Sequence, residues 1–224
     1  MDREKLDFGN GKIKTLFRAM FFPTLVGMVF NSVLNICDGM FVGHGVGSNA
    51  LAAYSVGCYL FPLIFSISNA VAQSSQPIIS YNYGAGQIDR VRQALRIAVL
   101  TASICGLAIS AGMWIGSPLL AGIFLDSGEH AYALARQGLP LLGLCALFFA
   151  LNITFIGYYQ SCEQATRSIC YMLLRGVVFL IPGFFILPKI AGIPGLWLAI
   201  PVSEALTLTV IALIFLWQRK TRVK

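Results

Sequence analysis

The sequence predicts an all-α membrane protein, six transmembrane helices in one domain (residues 1–224) with both termini cytoplasmic. Three observations lead there. Hydrophobic residues make up 57% of the 224 and charged residues only 11%, whereas a soluble domain carries about 25% charged residues to hydrate its surface. The charges are also unevenly placed. None occurs in the nineteen residues between Arg18 and Asp38, the fifty from Gly39 to Ile88, the twenty-nine from Ile97 to Leu125 or the twenty-six from Gln137 to Cys162. One helical crossing of a hydrocarbon slab of about 30 Å needs roughly 20 apolar residues. Finally, the basic residues cluster in the tails and loops rather than along a face. A water-soluble globule, a nucleic-acid binder and a disordered chain are all excluded.

The first span is expected over about 16–41. Basic residues precede it as they would a signal peptide, but no small-residue cleavage site follows, so an uncleaved span is expected. The turn-rich stretch Gly43 to Asn49 separates it from the second span, about 50–80, which prolines should break near Pro62 and before Pro77. The third span covers about 92–125 and ends at the acidic turn Asp126 to Glu129; the fourth covers about 131–160. Between Ser168 and Gln218 only Arg175, Lys189 and Glu204 are charged. A turn over Lys189 to Gly195 divides this stretch into a fifth span, about 168–187, and a sixth, about 196–217. The spans hold five prolines that should kink them: Pro23, Pro62, Pro140, Pro182 and Pro201.

Six crossings place thirteen of the sixteen basic residues on one side: five in the amino-terminal tail, Arg90, Arg92, Arg96, Arg167 and four at the carboxy terminus. The other side receives Arg136 and Lys189, so the positive-inside rule makes the termini cytoplasmic. The six cysteines, Cys37, Cys58, Cys105, Cys145, Cys162 and Cys170, lie in apolar stretches without CxxC spacing and read as small packing residues.

Charge within the hydrocarbon costs at least about 2.5 kcal/mol on insertion scales, so each instance asks for a reason. Asp38 lies near the end of the first span, and Asn35 and Asn31 precede it by three and seven residues, on roughly one helix face. Two amides and a carboxylate on one face suit oxygen ligation of a cation or proton; capping a broken helix or pairing with a base is the structural alternative. Arg175 and Glu204 form a candidate intramembrane polar pair if their depths match, since consecutive spans are antiparallel neighbours. Asn69, Gln73 and Gln76 belong to a polar stripe on the second span and are candidates to line a cavity, or to bond between helices. Tyr81 to Gly86 resembles a phosphate-cradling loop but lacks the Lys-Ser/Thr ending of a P-loop. Metal-ligand sets and hydrolase motifs are absent from the sequence, so neither an enzyme nor a cofactor is expected.

Several stretches resemble the multidrug and toxic compound extrusion (MATE) transporters. Phe22-Pro23-Thr24 through Asn35-Ile36-Cys37-Asp38-Gly39-Met40-Phe41-Val42-Gly43, followed by Ala50-Leu51-Ala52-Ala53, is similar to the family's opening helix. Gln76-Pro77 through Gly84-Ala85-Gly86 resembles the end of its eighth helix. Leu174-Arg175 with Phe179 to Pro182, then Gly195 to Ala199 with Pro201 and Glu204, resembles its last two. The family builds twelve helices as two six-helix lobes around a cavity, so this chain reads as one MATE-like lobe. Its first helix resembles an amino-terminal lobe and the remainder a carboxy-terminal one, as an internal deletion would leave them.

The resemblance implies efflux of cationic or amphipathic compounds coupled to Na⁺ or H⁺ entry through the plasma (inner) membrane. It implies a coupling role for Asp38, and a homodimer or second lobe to close the cavity. The acid of the family's fifth helix has no counterpart near Val177, Val178, Phe179 and Pro182. A non-transporting membrane remnant or interaction subunit, and a flippase for lipid-linked substrates, are the alternatives.

Overall fold

A computed structural model describes residues 12–18, 21–22, 25 and 47–221, and the chain divides into two compact units, Met1–Met40 and Phe41–Lys224. Most of the expected first span lies outside the described residues, including Asn31, Asn35 and Asp38. Of the first unit, residues 13–18 are helical, and the rings of Phe17 and Phe21 stack with centroids 5.5 Å apart.

The second unit is helical, with no strand among the described residues. In chain order it comprises α1 (Ser48–Gly84), α2 (Ile88–Gly122), α3 (His130–Gly143), α4 (Cys145–Ser161), α5 (Ala165–Leu173), a π-helical segment (Leu174–Leu180), α6 (Ile181–Ala191) and α7 (Ile193–Thr221). Leu144 alone separates α3 from α4, and the π segment joins α5 to α6 without a gap. The described residues therefore contain five helices long and apolar enough to cross a membrane: Ser48–Gly84, Ile88–Gly122, His130–Ser161, Ala165–Ala191 and Ile193–Phe215.

The prolines act less strongly than expected. α1 runs unbroken through Pro62 and Pro77. Each proline removes a single donor, and a helix packed among other apolar helices tolerates that loss. Within α2, the carbonyl of Trp114, four residues before Pro118, accepts instead from Ser117 Oγ at 3.2 Å. Pro182 is the exception, because it is the second residue after the π segment. A proline ring clashes with the carbonyl four residues earlier, and the wider i→i+5 register relieves that crowding.

The connections are tight. α1 ends in a Schellman motif: Gly86 takes φ +71, Gln87 N–H donates to Asn82 O at 2.9 Å and Gly86 N–H to Tyr83 O at 3.0 Å. The phosphate-loop look-alike is thus a helix terminus. The turn expected over Lys189 to Gly195 reduces to Gly192 at φ +64, with Gly195 so close to Leu187 that a Cβ there would overlap its carbonyl oxygen.

The core lies where α1, α3, α4 and α7 meet. Tyr54, Leu139, Leu142, Phe149 and Trp197 are all buried in one cluster. Small residues bring the backbones together, as in other membrane bundles. At Gly106 of α2 a Cβ would sit 2.6 Å from Leu147 Cα of α4. Gly106→Ala is therefore expected to push the two helices apart at a cost of about 1–3 kcal/mol, read as a lower temperature at which detergent-solubilised protein loses its monodisperse peak. Gly112→Ala, with no atom within 4 Å of its Cβ, should be neutral or slightly stabilising.

Candidate functional site

The described part of the chain buries one ion pair. Arg175 Nε donates to Glu204 Oε1 at 2.7 Å, with side-chain exposures of 17% and 4%. Both charges are deep enough that each requires the other. Arg175 stands at the start of the π segment and Glu204 in the middle of α7, so the pair joins two consecutive crossings of the bundle.

The surrounding groups complete the pair. Asn152 of α4, fully buried, donates through Nδ2 to Glu204 Oε2 at 2.7 Å and to the Glu204 carbonyl at 2.9 Å. The guanidinium of Arg175 lies over the ring of Phe149, Cζ 4.4 Å from the centroid, an arrangement in which the ring's negative face stabilises the cation. Ser203 Oγ donates to the Arg175 carbonyl at 2.7 Å. The π register changes which amides reach which carbonyls, and this one is met by a side chain from the neighbouring helix. Asn152 Oδ1 is buried without a hydrogen-bond partner.

Each carboxylate oxygen of Glu204 thus already has a donor, and the pair is formally neutral. With Arg175 seated, the cluster fastens α4, the π segment and α7 to one another and offers no uncommitted carboxylate to a cation. Among the described residues no group of three or more His, Cys, Asp or Glu could hold a metal ion. No disulfide joins Cys58, Cys105, Cys145, Cys162 and Cys170 to one another, and Cys37 lies outside the described residues.

The three candidates on α1 do not converge. Asn69 Nδ2 donates to Phe65 O of its own helix at 2.8 Å, Gln76 Nε2 approaches Gln160 Oε1 of α4 at 3.4 Å, and Gln73 is exposed. A cavity of about 510 Å³ between α1 and α2 is lined by Ser74, Ser75, Asn82 and Arg90, and not by any of the three. Gln73, Ser66 and Ser80 instead lie on one outward face of α1, all exposed, which is an unusual surface for a helix in hydrocarbon.

Asn152 and Ser203 escaped the sequence reading. For Asn152 a signal exists: it is an amide in the middle of the twenty-six-residue uncharged run from Gln137 to Cys162. Ser203, one of many serines, carries no such mark.

A family model described as MatE matches residues 23–186. The chain is 30% identical over 100 residues to a protein of Geobacillus kaustophilus named "Probable multidrug resistance protein NorM", a match covering 45% of this chain and 22% of that protein. It is 26% identical over 191 residues to the "FAD transporter" of Shewanella oneidensis, covering 82% of this chain and 40% of that one. Among solved structures, a variant of the Vibrio cholerae MATE transporter VcmN superposes with a TM-score of 0.82 at 17% identity, covering 98% of this chain and 50% of that one. MATE in its straight conformation gives 0.80 at 22% identity, covering 93% and 46%. The chain therefore spans no more than half the length of these relatives.

Proposed function

This chain belongs to the MatE family, and we propose that it forms one lobe of a multidrug efflux transporter exchanging cationic or amphipathic compounds for Na⁺ or H⁺. It is a multi-pass membrane protein of that fold. The proposal places it in the plasma (inner) membrane with cytoplasmic termini, paired with a second copy or another lobe.

The observation that supports this reading best is the fit of nearly the whole chain onto half of a MATE transporter. The outward face of α1 agrees with it. Ser66, Gln73 and Ser80 are poorly placed against acyl chains but well placed against water or a facing lobe. The Arg175–Glu204–Asn152 cluster, closed and neutral, reads as the internal tie of the lobe. The coupling role goes to Asp38, supported by Asn35 and Asn31, through the resemblance of that stretch to the family's first helix.

In proteoliposomes, the chain is expected to expel a cationic dye when a Na⁺ or H⁺ gradient is imposed, and Asp38→Asn to reduce efflux to the protein-free background. Undiminished efflux from the Asn variant would remove Asp38 from coupling. Absence of efflux from both proteins favours the remnant reading. Crosslinking in native membranes tests the pairing, and a strictly monomeric chain would argue against autonomous transport.

A further inference from the structure

A second feature, remote from the ion pair, is a cavity of about 680 Å³ between the end of α2 and the start of α3. Its lining changes character along its length. At one end lie Ser127 of the connecting turn and Arg136 and Gln137 of α3; at the other, Trp114 and Ile115 of α2, 64% and 81% exposed. Arg136 is the one charged residue among the described residues that line it, and it makes no hydrogen bond or ion pair with any described residue. The acids of the same turn, Asp126 and Glu129, are not part of the lining.

The depth of these residues follows from the sequence. Arg136 immediately precedes the uncharged run Gln137 to Cys162, which places it at the edge of the apolar layer. A Cβ on Gly143, seven residues after Arg136, would meet Met113 of α2 at 2.9 Å, so Trp114 lies about 9 Å of helical rise further in than Arg136. The groove therefore begins at the polar boundary and continues into hydrocarbon. A soluble anion would use only its outer end, and a cationic drug would be repelled there. A molecule with an anionic head and an apolar tail would use both ends.

We propose that this groove is a binding site for an anionic phospholipid. The headgroup phosphate meets the Arg136 guanidinium, with Ser127 and Gln137 as further hydrogen-bonding groups. One acyl chain lies along Trp114 and Ile115. A guanidinium at the edge of the apolar layer favours an anionic headgroup over a zwitterionic one by charge, and the exposed Trp114 and Ile115 side chains give the acyl chain an apolar wall. The site does not depend on the transport reading, because its chemistry is that of a lateral contact with the bilayer.

Native mass spectrometry of the full-length, detergent-solubilised protein tests it, with phosphatidylglycerol, phosphatidylcholine and glycerol 3-phosphate as separate titrants. Phosphatidylglycerol is expected to bind about fivefold more tightly than phosphatidylcholine, the preference a single basic residue confers near a membrane surface. Arg136→Gln should abolish that preference and Arg136→Lys retain most of it. Ala133→Trp, which fills the groove without changing charge, should weaken both lipids. Equal binding of the two lipids to the wild-type chain would overturn the proposal, as would an unchanged preference in Arg136→Gln. Glycerol 3-phosphate displacing bound phosphatidylglycerol at equal concentration would identify a free-anion site and overturn it too.

Discussion

Arg175→Met is expected to destabilise the protein by about 3–5 kcal/mol, because it leaves the Glu204 carboxylate buried without its cation. Glu204→Met should cost a similar amount by stranding the guanidinium, although Phe149 would still face it. The double variant is expected to recover much of the loss. It buries no charge, and Asn152 keeps the main-chain carbonyl of residue 204 as an acceptor. Thermal loss of the monodisperse peak on size exclusion gives the three values, and the double-mutant cycle gives the coupling. Losses that simply add would mean the pair contributes nothing beyond its separate side chains. Strong coupling, with the double variant near wild type, would make the cluster a structural tie. If the double variant is stable but transports nothing, the charges themselves take part in the work.

The second large effect is expected at Gly138. A Cβ built there falls inside the indole of Trp197, and one at Gly57 would sit 2.9 Å from the same ring. Trp197 is 2% exposed and packs on Tyr54 with ring centroids 5.2 Å apart. The indole is thus held between α1 and α3 and has no open side toward which to move. Gly138→Ala should cost about 3 kcal/mol, the upper end for overpacking a close-fitted core. Trp197→Ala should cost about 3–5 kcal/mol through the void it leaves. Trp197→Phe combined with Gly138→Ala should recover part of the loss, since a smaller ring vacates the volume the new methyl needs. The measurement is again the temperature of aggregation in detergent. Gly138→Ala behaving like the wild type would show that Trp197 can be displaced cheaply, contrary to its packing.

Several features could be read directly from the chain. The long uncharged runs identify the crossings, because charge at that depth is costly whatever the fold. The helices Ser48–Gly84, Ile88–Gly122 and His130–Ser161 overlie the runs that suggested them. Their ends moved by several residues, since caps such as the Gly86 Schellman motif are set by backbone geometry rather than by hydropathy. The family was legible from Asn35 to Gly43, Gln76 to Gly86 and Gly195 to Glu204. The continuity of α1 through Pro62 and Pro77 was not: whether a helix survives the loss of one donor depends on what packs around it.

The ion pair separates the two kinds of information. The sequence by itself determined that Arg175 and Glu204 sit in consecutive apolar crossings, and that each needs a counter-charge. Whether they supply it to each other was undetermined. Arg175 lies seventeen residues before Gly192 and Glu204 twelve after it. In a straight helical hairpin that is an offset of about 7 Å at 1.5 Å per residue. Only the tertiary structure decided that the π segment, the single-residue turn and the length of the arginine side chain close that gap. It also decided that Asn152, from a third helix, takes the remaining carboxylate oxygen. Hydropathy is a sum over residues and survives without knowledge of the fold. A buried hydrogen bond depends on the angle and depth of helices far apart in the chain, and exists only once they have packed.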